Sequence, residues 1–295
     1  MIYRCIGQLQ TKATRITSLC RLFGVSRSGY HAFRKREDAP KKVCPASAHL
    51  LAAFAASGRS YGSRRLCAVL QAQGLRLGRH RVRTLMKTNG IQAIWKRKFV
   101  HTTDSRHDQP IADNVLDRQF MPTAANVAWV SDITYIRTRC GWLYLAVVMD
   151  LFSRKIIGWA MAPNMPAELV CAALQMAIAQ RRPPAGLVVH SDRGSQYASE
   201  THRALLARHG FLGSMSRKGN CWDNAVMERF FLNLKMERVW QKDYANHAEA
   251  VADIADYIVG FYNNVRLHST LGYLPPSAYE RKQAEKQLIE LSENT

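Results

Sequence analysis

The stretch WVSDITYIRTRCGWLYLAVVMD, residues 129–150, contains two apolar runs rich in β-branched and aromatic residues. Such runs predict strands, and Arg137–Gly141 between them predicts a hairpin turn. Residues 155–161 predict a third strand. Farther on, the pattern predicts strands over 187–191 and 212–214 and helices over 167–180, 199–209 and 224–239, the last capped by Asp223. Three antiparallel strands followed by alternating helices and strands indicate an α/β fold with a sheet of mixed direction.

Two small helical modules are predicted before this sheet. In the first, one helical face carries Ile16, Leu19, Leu22 and Phe23. Gly24 ends that helix, and Ser26 can cap the next one. Within residues 1–38 this layout fits a helix-turn-helix, or a plain helical hairpin with a basic surface. Residues 45–100 predict a second, basic hairpin with Gly74 between its helices.

The net charge is +20, from 42 Lys and Arg against 22 Asp and Glu. Residues 1–122 carry 23 basic and 6 acidic residues, and residues 39–103 contain 13 basic residues and no carboxylate. Internal ion pairs cannot neutralise such a segment, so a polyanion is the expected partner. The candidate phosphate-binding residues of the second hairpin are Arg64, Arg65, Arg79, Arg81, Arg83, Lys87, Lys96, Arg97 and Lys98.

Cysteine usage and hydropathy indicate a cytoplasmic protein. The seven cysteines are scattered and contain no C-x-x-C pair, which argues for reduced thiols and against a zinc site. The longest apolar run, Trp142–Met149, is far shorter than the roughly 20 residues of a membrane span. Residues 101–122 have little periodicity and predict a linker to a core over 123–285, with residues 286–295 as a tail.

Three carboxylates lie where an unpaired charge would be costly. Asp132 interrupts the first predicted strand, Asp192 ends the strand VVHSD, and Glu228 lies on the last predicted helix. A strand interior, a neighbouring strand end and a covering helix can bring these side chains together. Clustered carboxylates repel one another unless a cation lies among them, and their hard oxygen atoms suit Mg²⁺ or Mn²⁺.

Other residues have competing interpretations. Asp150 is the main rival metal ligand, but the sequence DLFSR favours a turn capped by its side chain. His190 is interpreted as a core or supporting histidine, because imidazole suits Mg²⁺ poorly. The tryptophans interpreted as core residues are Trp129, Trp142 and Trp159. Arg266 and His268 can either contact phosphate or pack the C-terminal segment against the core.

The spacing of the acids belongs to a larger series of motifs. Asp132 and Asp192 have 59 residues between them, and Asp192 and Glu228 have 35. With WVSDITYI (129–136), HSDRGSQY (190–197), SRKGNCWDNAVMERFF (216–231) and YNNVRLH (262–268), the chain resembles the DDE transposases and retroviral integrases. It most resembles the second-frame (OrfB) protein of the insertion-sequence-three transposase family. This resemblance implies a ribonuclease H-like mixed sheet flanked by helices, the integrase core, preceded by small basic all-α helix-turn-helix modules.

The resemblance also implies a metal-dependent DNA transposase. Asp132, Asp192 and Glu228 are the expected catalytic residues and the expected ligands of two Mg²⁺ or Mn²⁺ ions. Such ions support cleavage of a phosphodiester at the ends of an insertion sequence and transfer of the 3′-OH to another strand.

Further DNA contacts are implied near the third acid. By similarity to integrases, Lys235 contacts the terminal base pairs, and Asn224 is expected on the same helix face. Arg217 and Lys218 are also candidates for DNA contact. They lie in a predicted loop over 213–221 that either closes on the substrate or is a simple surface loop.

The expected partners are terminal inverted repeats, target DNA, further copies of the chain on DNA, and an upstream-frame (OrfA) protein or fusion. Association with the bacterial nucleoid follows when DNA is bound. The alternatives are a metal-dependent nuclease or resolvase of the same fold, and a non-catalytic DNA-binding regulator built on residues 14–98. The regulator leaves the three carboxylates unexplained, and the basic hairpins disfavour the nuclease.

Overall fold

A computed structural model describes residues 2–10, 14–38, 44–94, 109–217 and 221–293. The chain divides into two compact units, residues 1–48 and residues 49–295. None of the described helices is both long enough and apolar enough to cross a membrane.

The first unit contains the two predicted helices, α2 (Ile16–Leu22) and α3 (Arg27–Asp38), and before them a helix that was not predicted, α1 (Ile2–Leu9). Ser26 Oγ accepts the Gly29 N–H at 3.0 Å, which confirms the predicted cap. The prediction that Leu22 belongs to the buried face is wrong, since this side chain is 77% exposed. Cys20 is buried instead, because positions 16, 19, 20 and 23 follow the helical period more closely.

The second hairpin is formed by α5 (Ser63–Ala72) and α6 (Arg79–Thr88), preceded by α4 (Pro45–Ala56). Its interior consists of side chains that recur three or four residues apart on the facing helices: Leu66, Leu70, Val82 and Leu85. Gly74 has a φ of +84° at the end of α5, a conformation that glycine adopts without strain. The predicted basic helical hairpin is therefore confirmed.

The five strands are β1 (Ala128–Thr138), β2 (Gly141–Asp150), β3 (Ile156–Ala162), β4 (Val188–Ser191) and β5 (Leu212–Met215). They form one sheet in the order β3-β2-β1-β4-β5. β1, β2 and β3 pair antiparallel, whereas β4 pairs parallel with β1 and with β5. The predicted mixed sheet is confirmed, with a tighter hairpin turn than expected because both strands extend into Arg137–Gly141.

Helices cover both faces of the sheet. They are α7 (Ala167–Arg181), α8 (Ser195–Ala198), α9 (Glu200–Arg208), α10 (Ala225–Glu237), α11 (His247–Asp256) and α12 (Pro276–Glu293). One core layer lies between the sheet and α10 and α11, and the other between the sheet and α7, α8 and α9. β3 approaches α7 so closely that a Cβ at Gly158 would lie 2.2 Å from the Ala173 carbonyl oxygen.

The segments around the core have defined positions. Residues 109–122, the described part of the predicted linker, contain no helix or strand. Leu116 in this segment is nevertheless 4% exposed, and its N–H donates to Ser214 Oγ. At the other end α12 runs through the predicted boundary at residue 285. A π-helical turn, Tyr257–Tyr262, connects α11 to the final part of the chain.

Candidate active site

Two of the predicted acids lie side by side just past the point where the parallel pairing of β1 with β4 ends. The β1–β4 register ends with Val130 opposite His190. Two residues farther along each strand are Asp132 and Asp192, so the register brings them next to each other. The carboxyl ends of parallel strands are a common location for ligand sites in α/β sheets.

Local hydrogen bonds fix the orientation of both carboxylates. Asp132 Oδ1 accepts the Ile133 N–H at 2.7 Å, and Asp132 Oδ2 accepts from Asn224 Nδ2 at 3.1 Å. Asp192 Oδ1 accepts the N–H of Gly194 at 3.0 Å. A Cβ at Gly194 would lie 3.1 Å from that same oxygen, so glycine leaves room for the contact.

The charge of the third acid, Glu228, also affects the Asp132 carboxylate. Burial raises the pKa of Asp132 well above its usual value, and the charges of Asp192 and Glu228 raise it further. The side chain retains some exposure, yet protein atoms have displaced most of the water around its carboxylate. Lys235 opposes these effects on Asp132. The structure thus brings the three predicted acids into electrostatic contact around Asp132.

Glu228 and Lys235 both lie on α10, while Asn224 does not. Glu228 is exposed in the first turn. Lys235 is half-buried, with Nζ 4.2 Å from the centre of the Tyr135 ring, and burial lowers its pKa while Asp132 acts against that change. Asn224 ends the preceding 3₁₀ turn, directly before α10, and is 5% exposed, so the prediction that it lies on the helix itself is wrong, while its side chain is directed to Asp132.

Asp223 anchors this turn instead of capping α10. Its carboxylate is fully buried and accepts from Arg118 Nε at 2.7 Å, from Asn114 Nδ2 at 3.0 Å, and from the backbone N–H and the guanidinium of Arg217. These donors hold the pKa of Asp223 far below its usual range, the Arg217 side chain having the largest effect. The predicted cap is wrong because three other side chains satisfy this carboxylate.

The competing interpretations of Asp150 and His190 are resolved. Asp150 is fully buried and accepts the backbone N–H groups of Asn126 and Phe152, both at 3.0 Å, so the capped turn is confirmed. His190 is fully buried between Ser214 and Ser216, and burial lowers its pKa to about 4. It is therefore a neutral core histidine.

The tryptophan predictions are only partly confirmed. Trp129 is fully buried, and Trp159 is half-buried against the core. The assignment of Trp142 to the core is wrong, since 44% of its surface is exposed. It lies at the hairpin end of β2, where its ring contacts Tyr135 edge-on.

The donor set suits a hard divalent cation. Asp132, Asp192 and Glu228 offer only carboxylate oxygens, and their mutual repulsion is the kind that a bound cation relieves. The Oδ1 atom of Asn224, beside Asp132, is buried and has no hydrogen-bond partner. In the part of the chain that the structure describes, no three His, Cys, Asp or Glu side chains are already grouped as a metal site.

The predicted DNA contacts have different surroundings. Arg79, Arg81, Arg83 and Lys87 are all exposed on α6, as is Arg64 on α5. Arg65 instead points toward Glu237 of the core, 3.9 Å away. Arg217 is half-exposed while it holds Asp223 and Asp117. The remaining candidates lie outside the described residues: Lys96, Arg97, Lys98 and Lys218.

Arg266 packs the C-terminal segment against the core. Its guanidinium is 1% exposed and donates to both carboxylate oxygens of Glu237 at 2.8 Å. The Tyr257 hydroxyl donates to the same carboxylate at 2.7 Å. Burial alone would lower the pKa of Arg266, but Glu237 overrides it and raises this pKa. Of the two interpretations of Arg266, packing is therefore correct.

This buried pair also joins the basic hairpin to the core. The Leu267 N–H donates to the Tyr61 hydroxyl at 2.8 Å, and Arg65 lies over the Tyr61 ring. Sequence reasoning missed both this network and the Asp223 anchor. The only signals were a charged residue among apolar ones in YNNVRLH and a carboxylate in an otherwise basic loop.

Comparison with known proteins agrees with this architecture. Residues 122–221 match the integrase core domain family, residues 209–276 match a second integrase core domain family, and residues 46–99 match the HTH-like domain family. The chain is 43% identical over 266 residues to an uncharacterized 31 kDa protein of insertion element IS600 from Shigella sonnei, covering 90% of this chain and 98% of that protein. It is 41% identical over 271 residues to transposase InsF for insertion sequence IS3A from Escherichia coli strain K12, covering 90% and 94%.

Two solved structures are similar at lower identity. One is the simian T-cell lymphotropic virus intasome in complex with PP2A regulatory subunit B56 gamma, with a TM-score of 0.47 and 16% identity, covering 80% of this chain and 74% of that chain. The other is the HTLV-2 integrase catalytic core domain in complex with magnesium, with a TM-score of 0.42 and 14% identity, covering 54% and 98%.

The integrase core and the basic helical hairpin define a DNA-binding polynucleotidyl transferase of the DDE type. Identity above 40% over nine-tenths of the chain identifies the family more narrowly than these domains do. The chain belongs to the IS3 family of transposases, and its function is insertion-sequence transposition.

Proposed function

We propose that Asp132, Asp192 and Glu228 are the catalytic residues of this transposase and that they hold two Mg²⁺ or Mn²⁺ ions. The protein then cleaves a phosphodiester at the end of its insertion sequence and joins the freed 3′-OH to target DNA. The observation that carries this proposal is the β1–β4 register, which places Asp132 beside Asp192, while Asn224, directly before the helix of Glu228, donates to Asp132; the raised pKa of Asp132 agrees with this placement. A cluster of repelling carboxylates at a sheet end is costly in the absence of a cation.

The residues around the acids have separate roles in this proposal. Bound metal ions supply activation of a water or 3′-hydroxyl and stabilisation of the leaving oxygen. Ile133 and Asn224 hold one oxygen each of the Asp132 carboxylate, so its orientation is set before substrate binds. The Gly194 N–H does the same for Asp192. Lys235 brings a positive charge toward the site and is held there by Tyr135.

The partners follow from the charge and the family. The exposed basic side chains of α6 suit the phosphates of the element ends or of target DNA. Transposition brings two DNA ends together, which favours several copies of the chain on DNA. An upstream-frame protein, separate or fused, is proposed to add recognition of the terminal repeats. Acting on DNA places the protein at the nucleoid of the bacterial cytoplasm.

Glu228→Gln tests the catalytic assignment. The variant is expected to bind labelled element-end DNA but to lose both strand cleavage and strand joining in Mg²⁺, because a neutral amide keeps the shape of the side chain and removes a ligand charge. Both products are measured on denaturing gels for wild type and variant. Glu200→Gln, at an exposed glutamate in the first turn of α9, is the matched control and should retain both activities.

The outcomes separate the candidate functions. Full activity of Glu228→Gln would show that the triad is misassigned. Cleavage without joining by the wild type would indicate a nuclease. Binding without either reaction, even with the upstream-frame protein added, would indicate a DNA-binding regulator.

The stripe formed by Arg79, Arg83 and Lys87 on α6 is expected to contact phosphates. These residues are four apart and therefore share one helix face. Replacing all three with Gln should weaken binding to any DNA sequence and reduce the slope of log K against log salt by about 0.9 for each phosphate that the variant no longer neutralises. Fluorescence anisotropy across a salt series measures this slope. Arg208→Gln, at an exposed arginine of α9, should leave it nearly unchanged; an equal reduction would refute the assignment to α6.

A further inference from the structure

The 3₁₀ turn Cys221–Asn224 holds three successive side chains in three different environments. Asp223 is fully buried and bound by Arg118, Asn114 and Arg217. Asn224 is 5% exposed and donates to Asp132 at 3.1 Å. Trp222, immediately before them, is 69% exposed. The turn therefore fixes its own backbone from within and directs one large aromatic ring into solvent.

Because the residues that follow Trp222 are anchored, the exposed position of Trp222 is a feature of the folded turn. Exposing an indole ring to water costs free energy, and the residues after Trp222 are already fixed by at least four side-chain hydrogen bonds. Because the backbone at Trp222 is held in this manner, less conformational freedom is lost when the ring binds a flat partner. The half-exposed guanidinium of Arg217 is bound to the same anchor, so a positive charge accompanies the ring.

The position of the turn identifies the partner. Asn224 touches Asp132, and two residues of chain span at most about 7 Å. Successive nucleotides of a B-DNA strand are separated by about 3.4 Å along the helix axis. The Trp222 backbone is therefore only a few nucleotides from a phosphate that lies at Asp132. A nucleobase is the flat group that DNA brings to this distance, and aromatic rings stack on bases whatever their identity.

We propose that Trp222 is a DNA-positioning residue that stacks on a nucleobase next to the phosphate being cut. This inference rests on the proposed function, because Asp132 must be the place where the phosphate lies. Stacking on one base fixes the register of the strand in the site, which hydrogen bonds to phosphates alone do not do. Trp222 takes no part in bond making or breaking.

The direct test uses a fluorescent base. The full chain is bound to a duplex that ends in the terminal inverted repeat of its insertion sequence, with 2-aminopurine replacing each base near the scissile phosphate in turn. Ca²⁺ replaces Mg²⁺, because its looser coordination does not match the octahedral geometry that Mg²⁺ demands. The wild type is expected to quench the probe at one position. Trp222→Ala should abolish that quench and weaken binding by about 5- to 150-fold, as for removal of one base–aromatic stack.

Three comparisons distinguish stacking by Trp222 from other effects of its substitution. Trp222→Phe should retain most of the quench, since it keeps a ring on the same turn. An abasic nucleotide at the quenched position should reduce wild-type affinity to that of Trp222→Ala and leave the affinity of the variant unchanged. Met121→Ala, at an apolar side chain that is 80% exposed, is the control and should leave quench and affinity unchanged.

Failure of this inference is distinguishable from failure of the proposed function. If Trp222→Ala quenches and binds as the wild type does, or if Met121→Ala loses as much, stacking by Trp222 is refuted even where Glu228→Gln is inactive. If Trp222→Ala changes only the sedimentation coefficient of the DNA-free chain, Trp222 contacts a second copy rather than DNA. If Glu228→Gln still cleaves while Trp222→Ala loses the quench, the catalytic assignment fails and the stacking contact stands.

Discussion

Asp132→Asn is expected to abolish strand cleavage and, at the same time, to make the metal-free protein more resistant to heat. Cleavage should fall by about 10³-fold or more, because a lost ligand charge removes several kcal/mol of transition-state stabilisation and each 1.4 kcal/mol is worth tenfold in rate. Stability changes in the opposite direction because the carboxylate lies in the folded chain among like charges.

The sign of the stability change follows from the direction of the pKa shift. The pKa of Asp132 is raised on folding, chiefly by burial and then by Asp192, so the ionised form is less stable in the folded protein than in the unfolded chain. The resulting loss of stability is present at neutral and higher pH and disappears as pH falls and the carboxylate takes up a proton. An asparagine is neutral throughout, and its Oδ1 can still accept the Ile133 N–H.

Calorimetry in a chelating buffer measures this effect. The melting temperature should rise by about 2–4 °C for each kcal/mol gained. Added Mg²⁺ should then raise the melting temperature of the wild type and leave that of Asp132→Asn nearly unchanged, because a ligand that binds only the folded state stabilises it. Asp113→Asn, at an exposed carboxylate of the same unit, should change neither property. A less stable Asp132→Asn would show that this carboxylate is already satisfied without a cation.

The position of the three proposed catalytic acids was predictable because acidic residues stand out among the apolar residues around them. A carboxylate inside WVSDITYI or at the end of VVHSD is conspicuous, since neighbouring valines and isoleucines must be buried. The alternation of strands and helices then fixes the sheet order closely enough to bring Asp132 and Asp192 together. The α/β class and the clustering of these acids therefore follow from local patterns.

The hydrogen bonds that position these acids were not predictable, because they depend on residues far away in the sequence. In the sequence, Asp223 has the pattern of a helix cap. In the structure, Arg118 and Asn114, more than 100 residues earlier in the chain, donate to its carboxylate instead. That anchor turns Asn224 inward to Asp132 and leaves Trp222 outside. Trp142 looks like a core residue within a strand, but it lies at the hairpin end, where the ring remains exposed. Such outcomes are set by tertiary contacts that no local pattern contains.

The position of Arg266 also depends on a residue that lies far away in the sequence. An arginine in YNNVRLH can contact phosphate or be buried. It is buried only where the fold supplies a buried acid as its partner. Glu237 is that acid, and it lies at the end of α10 while Glu228 lies in the first turn of the same helix. The helix that carries Glu228, the third proposed catalytic acid, is thus held at its far end by a buried ion pair, to which Arg65 of the basic hairpin also points.

Arg266→Met is therefore expected to lower the free energy of unfolding by about 3–5 kcal/mol, because it leaves the Glu237 charge buried without its main partner. Urea denaturation at neutral pH measures the change. Arg139→Met, which breaks the exposed pair with Asp243, is the control and should change the free energy of unfolding far less, because water screens this pair. The double variant Arg266→Met, Glu237→Gln should be more stable than Arg266→Met alone, since it removes the stranded charge.

The consequence for function follows from the position of the pair on α10. Below the melting temperature, Arg266→Met should reduce strand cleavage more than it reduces DNA binding, because the stripe Arg79, Arg83 and Lys87 lies on another helix while Glu228 depends on α10. The double variant should recover part of the cleavage together with part of the stability. If Arg266→Met costs no more than Arg139→Met, the ion pair does not hold α10, and Glu228 must be positioned by the apolar side chains Phe230 and Leu234 alone.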